Sequence, residues 1–182
     1  LTEYLGWETY SSAGQREAVR AAFLAPSGAT IIVNLPTGAG KSLTFQLAAL
    51  AGQARNELTV VVVPTVALAR DQEARFRALL AQSGSAWTAQ TPLAYHSGLD
   101  DDSRTALRNA IRSGESPIVF VSPEAAVGAL RDPLFAAARQ GRLRLFAIDE
   151  AHLIAQWGDE FRPEFQALGG LRDALLSVCP DH

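Results

Sequence analysis

The stretch Leu35-Pro36-Thr37-Gly38-Ala39-Gly40-Lys41-Ser42 decides how the rest of the chain is read. It follows the β-branched run Thr30-Ile31-Ile32-Val33-Asn34-Leu35 and precedes a helical pattern over 41–51. Strand, glycine-rich turn and helix together make the setting of a phosphate loop. Gly38 and Gly40, with Thr37 and Ala39 in the same turn, let the backbone curl so that successive amides and the helix N-terminus point at phosphate oxygens. Lys41 then reaches the β and γ phosphates, and the Ser42 hydroxyl ligates Mg²⁺. The strict pattern has glycine where Leu35 stands, so this is a variant form of the loop. A turn that merely caps a helix would account for the glycines. It would not account for the lysine, because Lys41 is the one basic residue of 16 that is not arginine. Position 41 asks for a compact ammonium and not a guanidinium fork.

Working outward, Leu58–Val63, Pro117–Val121 and Leu143–Ile148 are further short apolar runs. With Thr30–Leu35 they read as strands, most of them continuously apolar and therefore covered on both faces. Helical patterns fall near 41–51, 67–81, 103–112 and 124–139, the last interrupted by Pro133. This alternation predicts an α/β fold, a mostly parallel sheet flanked by helices on both faces. The stretch 82–102 reads as loop-rich, with a short strand at Leu93-Ala94-Tyr95. Ahead of the phosphate loop, Ser12-Ala13-Gly14-Gln15 fits a capping box at the start of a helix that carries Val19, Ala22 and Phe23 inward.

Length and charge bound the function. A chain of 182 residues is the size of one domain, and 48% hydrophobic residues suffice for its core. A net charge of −3 argues against a broad basic surface, so any nucleic acid would be held by a local groove, backbone amides and stacking. The single cysteine, Cys179, excludes an internal disulfide, and no long apolar run or signal-like start is present. These features predict a reducing, cytoplasmic setting with no membrane partner. The chain has no methionine and begins at Leu1, which reads as a piece of something longer.

Asp149-Glu150-Ala151-His152 follows the apolar run 143–148 at the carboxyl end of a strand, where open α/β sheets bind ligands. Asp149 there can hold Mg²⁺, and Glu150 can orient and deprotonate an attacking water, with His152 beside them. Ser122-Pro123-Glu124 reads first as a helix start, Ser122 capping and Pro123 at the first helical position. Asp100-Asp101-Asp102 is explained by the helix macrodipole without a metal. His96 and Cys179 have no ligand-spaced companions.

Taken in order, LPTGAGKS, VVVPTVALARDQ, VSPEAA, DEAH and IAQWGDEFRPEF resemble the first RecA-like motor domain of superfamily 2 helicases. The last of these narrows the resemblance to the RecQ family, from about Leu5 to Pro180. The resemblance implies a RecA-like P-loop domain that binds and hydrolyses ATP with Mg²⁺. It implies motor activity on single-stranded or partly duplex DNA, unwinding 3′ to 5′. It also implies that Lys41, Asp149, Glu150 and His152 are catalytic and that Gln15 recognises adenine with Trp7 stacking. Pro64, Thr65 and Ser122, with Arg70, Asp71 and Gln72 nearby, fall where such helicases touch the DNA backbone. Gln156, Trp157, Phe161 and Arg162 match an aromatic-rich loop that senses single-stranded DNA, and stacking on any base suits that task. A translocase that separates no strands, and a small-molecule phosphotransferase, are the rival readings. The second leaves the segment after DEAH unexplained.

The chain departs from the family pattern at three places. Ser11 and Ser12 stand where an arginine packs on adenine, Asp159-Glu160 replaces histidine-aspartate, and the stretch from Ala81 to Ser97 is longer. The chain also stops before the next strand motif and before a second motor domain. In this class of fold that strand lies between the phosphate-loop strand and the DEAH strand, so a gap in the sheet is expected between them.

Overall fold

The structure is a computed structural model and describes residues 5–83, 87, 90–152 and 163–180. The helices are α1 (Ala13–Leu24), α2 (Leu43–Gly52), α3 (Val66–Gln82), α4 (Asp101–Ser113), α5 (Pro123–Val127), α6 (Arg131–Arg139) and α7 (Pro163–Val178). The strands are β1 (Leu58–Val62), β2 (Ala94–Tyr95), β3 (Ile118–Val121) and β4 (Leu143–Ile148). They form a parallel sheet of order β2-β3-β1-β4, with Val60 opposite Val119 on one side and Phe146 on the other. No helix among the described residues is long and apolar enough to cross a membrane.

Parallel neighbours need a crossover, and each crossover lays a helix on one face of the sheet. Leu58, Val60 and Val62 of β1 meet Leu107 and Ile111 of α4, Leu134 of α6 and Leu168 of α7. Val61, with Ile118 and Phe120 of β3, meets Val19 of α1, Phe45 of α2 and Phe76 of α3. Both faces are therefore covered, and β1 and β3 are buried throughout.

The helix starts follow from local side chains. Ser12 caps α1 by accepting from the Gln15 amide at 3.1 Å, and Thr65 caps α3 by accepting from Leu68 at 3.2 Å. Asp100 and Ser122 cap α4 and α5 in the same way, through the amides of Ser103 and Ala125. The break in 124–139 falls at Gly128 and not at Pro133. Pro133 lies in the first turn of α6, where its missing N–H is no loss.

One predicted strand is not formed. The run Thr30–Leu35 has no ladder partner among the described residues, and Ile32 is 89% exposed. A strand exists through its neighbours' hydrogen bonds, and apolar sequence alone does not supply them. Facing this run, β4 pairs among the described residues with β1 alone, and all six of its residues are partly buried. Between them lies a cleft of about 330 Å³ lined by Ala25, Ile31, Leu143, Leu145, Arg172 and Leu175, among others. The cleft separates β4 from a segment that is not part of the sheet.

Candidate nucleotide and metal site

All strands run the same way, so their carboxyl ends collect on one edge of the sheet. His96, Ser122, Thr65 and Asp149 follow β2, β3, β1 and β4 in that spatial order. Asp149 is fixed there by its own amide, which donates to the Val62 carbonyl at 2.9 Å.

The phosphate loop is curled as the sequence predicts, with Gly38 at φ 81° and Gly40 at φ 73°. Both are left-handed conformations that favour glycine. At Gly40 a side chain is excluded twice over, because a Cβ there would run into the Gln15 amide. Gln15 is buried and serves two ends at once. Its Oε1 accepts from the Ser11 amide and hydroxyl, each at 2.9 Å, and its Nε2 donates to the Gly40 carbonyl at 3.1 Å. The helix-start role and the attachment to the phosphate loop thus coexist in one side chain. Lys41 extends its ammonium to the Leu35 carbonyl at 2.9 Å, spanning the loop that Thr37, Gly38, Ala39 and Gly40 form. Ser42 makes no capping bond in α2, which leaves its hydroxyl open to other partners.

Ser42 and Asp149 converge. A single nitrogen, Gln72 Nε2, lies 3.4 Å from Ser42 Oγ and 3.4 Å from Asp149 Oδ2. Among the described residues no cluster of three or more His, Cys, Asp or Glu side chains could hold a metal alone. A hydroxyl plus one carboxylate is the donor set that Mg²⁺ takes when phosphates and waters complete its shell, so the residues fit that ion. Burial pushes the Asp149 carboxyl above its ordinary range, and the nearby Glu150 charge adds to this. The Glu150 amide, which donates to Asp149 Oδ1 at 3.0 Å, and the Lys41 ammonium act in the opposite sense.

Glu150 has φ 52°, a left-handed backbone that a non-glycine residue adopts at some cost. Its carboxylate lies 3.2 Å from His152 Nδ1. A carboxylate beside Asp149, with an exposed histidine against it, can orient a water and accept a proton.

Other predicted residues are placed less centrally. Trp7 is 42% exposed in the segment leading to α1. Pro64 is buried, and the Thr65 and Ser122 hydroxyls are committed to their helix caps. Gln156, Trp157, Phe161 and Arg162 lie outside the described residues. Burial, then the Arg70 charge, holds His96 below the usual imidazole range, and burial pushes the Cys179 thiol up. Neither has the profile of an activated group.

Sequence reasoning missed two residues. Gln72 was grouped with a DNA-facing turn, yet it points inward between the two candidate metal ligands. Its signal was a glutamine on the otherwise apolar stripe Ala69, Phe76, Leu79 and Leu80. Glu73 was overlooked entirely, although its carboxylate accepts from the Leu93 and Ala94 amides at 2.9 and 3.1 Å and binds Arg77.

A phosphate loop and a strand-end carboxylate brought together at the carboxyl edge of a parallel sheet define a P-loop nucleotide-binding α/β domain. The chain is 31% identical over 94% of its length to the ATP-dependent DNA helicase RecQ of Haemophilus influenzae, and 38% identical over 79% to that of Synechocystis. It is 32% identical over 96% of its length to the ATP-dependent DNA helicase Q5 of Mus musculus. The model of the DEAD/DEAH box helicase family matches residues 12–179, and the chain belongs to that family. It spans 25%, 27% and 17% of the lengths of these three relatives.

Proposed function

We propose that the chain is the ATP-binding motor domain of an ATP-dependent DNA helicase similar to RecQ, coupling hydrolysis to movement along single-stranded DNA and unwinding in the 3′ to 5′ direction. The observation that carries this reading is the approach of Ser42 and Asp149 to one amide nitrogen beside a phosphate loop. The names of the relatives supply the nucleic-acid side of it.

MgATP, when bound, supplies the phosphoryl group and the metal charge that neutralises it. The protein's part is to hold and orient. The amides from Thr37 to Gly40 and the start of α2 would donate to phosphate oxygens, and Gln15, on exchanging its bonds to Ser11 and Gly40, would take the adenine edge with Trp7 stacking. Lys41 would turn its ammonium from the Leu35 carbonyl to phosphate. Ser42 and Asp149 would hold the metal. Glu150 orients the attacking water and takes its proton, and His152 braces that carboxylate. Pro64, Thr65 and Ser122 mark the strand-to-helix turns that would meet the DNA backbone, through helix N-terminal amides, since Pro64 is buried and the two hydroxyls cap their helices. Gln156, Trp157, Phe161 and Arg162 sense the strand by stacking and by one guanidinium, which suits a protein without a broad basic surface.

The test is ATP hydrolysis by the full-length protein with and without single-stranded DNA, beside Lys41→Ala and Trp157→Ala. Lys41→Ala is expected to lose at least about a hundredfold in turnover, as removal of one preorganised charge does at an anionic transition state. Trp157→Ala is expected to keep basal hydrolysis and lose the DNA stimulation. Full activity in Lys41→Ala overturns the nucleotide site, and an unchanged DNA response in Trp157→Ala makes Trp157 a packing residue. Stimulated hydrolysis without strand separation would make the protein a translocase.

A further inference from the structure

Gln72 is 5% exposed, two turns into α3, among Ala69, Phe76 and Leu79. Its Nε2 reaches both Ser42 Oγ and Asp149 Oδ2, and its Oε1 is buried without a hydrogen-bond partner. An unpaired buried acceptor costs about 1–3 kcal/mol, so an apolar residue would serve packing better at this position. The amide group is there for what it touches. Its nitrogen lies 3.4 Å from a hydroxyl and 3.4 Å from a carboxylate oxygen, the same pair of oxygens that a divalent cation would use.

We propose that Gln72 is the positioning residue that sets the spacing of Ser42 and Asp149 for the divalent cation of a metal–nucleotide complex. The proposal rests on the reading of those two residues as metal ligands. One amide nitrogen lies 3.4 Å from both oxygens and so ties the end of β4 to the start of α2. The vacant Oε1 is an acceptor in want of a donor, and the waters that Mg²⁺ retains are donors. Because α3 starts at the Thr65 cap, Gln72 also ties that helix to the metal ligands.

The experiment is the dissociation constant of a fluorescent ADP analogue for the full-length protein, measured in Mg²⁺ and in EDTA. Gln72→Met keeps the length and apolar packing of the side chain and removes both donors. It is expected to weaken binding roughly tenfold in Mg²⁺ and to leave binding in EDTA unchanged, in line with the usual effect of residues that orient metal ligands. Equal affinity to the parent in Mg²⁺, or equal weakening in both conditions, overturns the proposal. Gln72→Leu is read by the same criterion should the methionine variant misfold. Lys41→Ala is the control for the underlying site and loses affinity in both conditions. A parent protein indifferent to Mg²⁺ would sink the metal reading itself, whereas a metal-dependent parent matched by Gln72→Met would sink only the role of Gln72.

Discussion

At one edge of the sheet, β2 offers two residues, and the amides of Leu93 and Ala94 are taken by the Glu73 carboxylate while Arg77 caps the Thr91 carbonyl at 2.7 Å. At the other edge, β4 offers six partly buried residues and looks across a cleft of about 330 Å³ at the segment around Ile31. An exposed strand edge is a template for further pairing, and proteins ordinarily blunt it with charge or short length. The β2 edge is blunted in both ways. The β4 edge is six residues long and carries charge only at Arg144, with Arg172 alongside in the cleft, and the candidate metal ligand Asp149 follows its last residue, Ile148. The contrast teaches that one side of this sheet is closed by side chains on its own strand edge, and the other borders a cleft.

The comparison can be broken most readily at the sealed edge. Glu73→Ala leaves two backbone donors and a guanidinium without their acceptor, and about 2–4 kcal/mol of stability should be lost, read from urea unfolding. A loss below 0.5 kcal/mol would mean that Glu73 does not seal the edge.

Asp149→Asn probes the open side. Burial raises the Asp149 carboxyl above its ordinary value of 3.8, so the ionised form is disfavoured in the folded state. A raised carboxyl contributes stability below the unfolded value and loses it as pH rises through the folded one. At neutral pH and in EDTA the asparagine variant should therefore melt a few degrees higher than the parent, and below pH 3.8 the gain should fade. A variant that melts lower at neutral pH would show that the ionised Asp149 holds this edge together. Ile32→Ser carries the smallest expected effect, within about 0.5 kcal/mol, because the side chain is already in solvent. A loss above 1 kcal/mol would show that the run is packed and the open side is not open.

Much of this was legible in the residues. The phosphate loop announces itself through Gly38, Gly40 and a lone lysine, and β1, β3 and β4 through continuous apolar runs. The capping pattern at Ser12 and Gln15 gave the start of α1, and the structure adds the Gly40 contact that no local pattern encodes. Thr30–Leu35 misled because β-branched composition reports how a residue suits a pleated surface, whereas pairing depends on neighbours distant in sequence. Pro133 misled because proline breaks a helix interior but suits its first turn. Gln72 was hidden by its neighbours, since Arg70 and Asp71 face solvent and drew the whole turn outward with them. The aromatic residues after His152, whose role only the resemblance suggests, lie outside the described residues.

The Lys41 ammonium grips the carbonyl of Leu35, the last residue of the unpaired run. One donor thus serves two masters, the run beside the cleft and any phosphate that arrives at the loop. A ligand that draws the ammonium away frees that carbonyl, and whatever fixes the run alters the ease with which the ammonium leaves. Thermodynamic reciprocity makes the two effects equal in size, so a phosphate at the loop and the placement of the run beside the cleft would be linked through a single hydrogen bond.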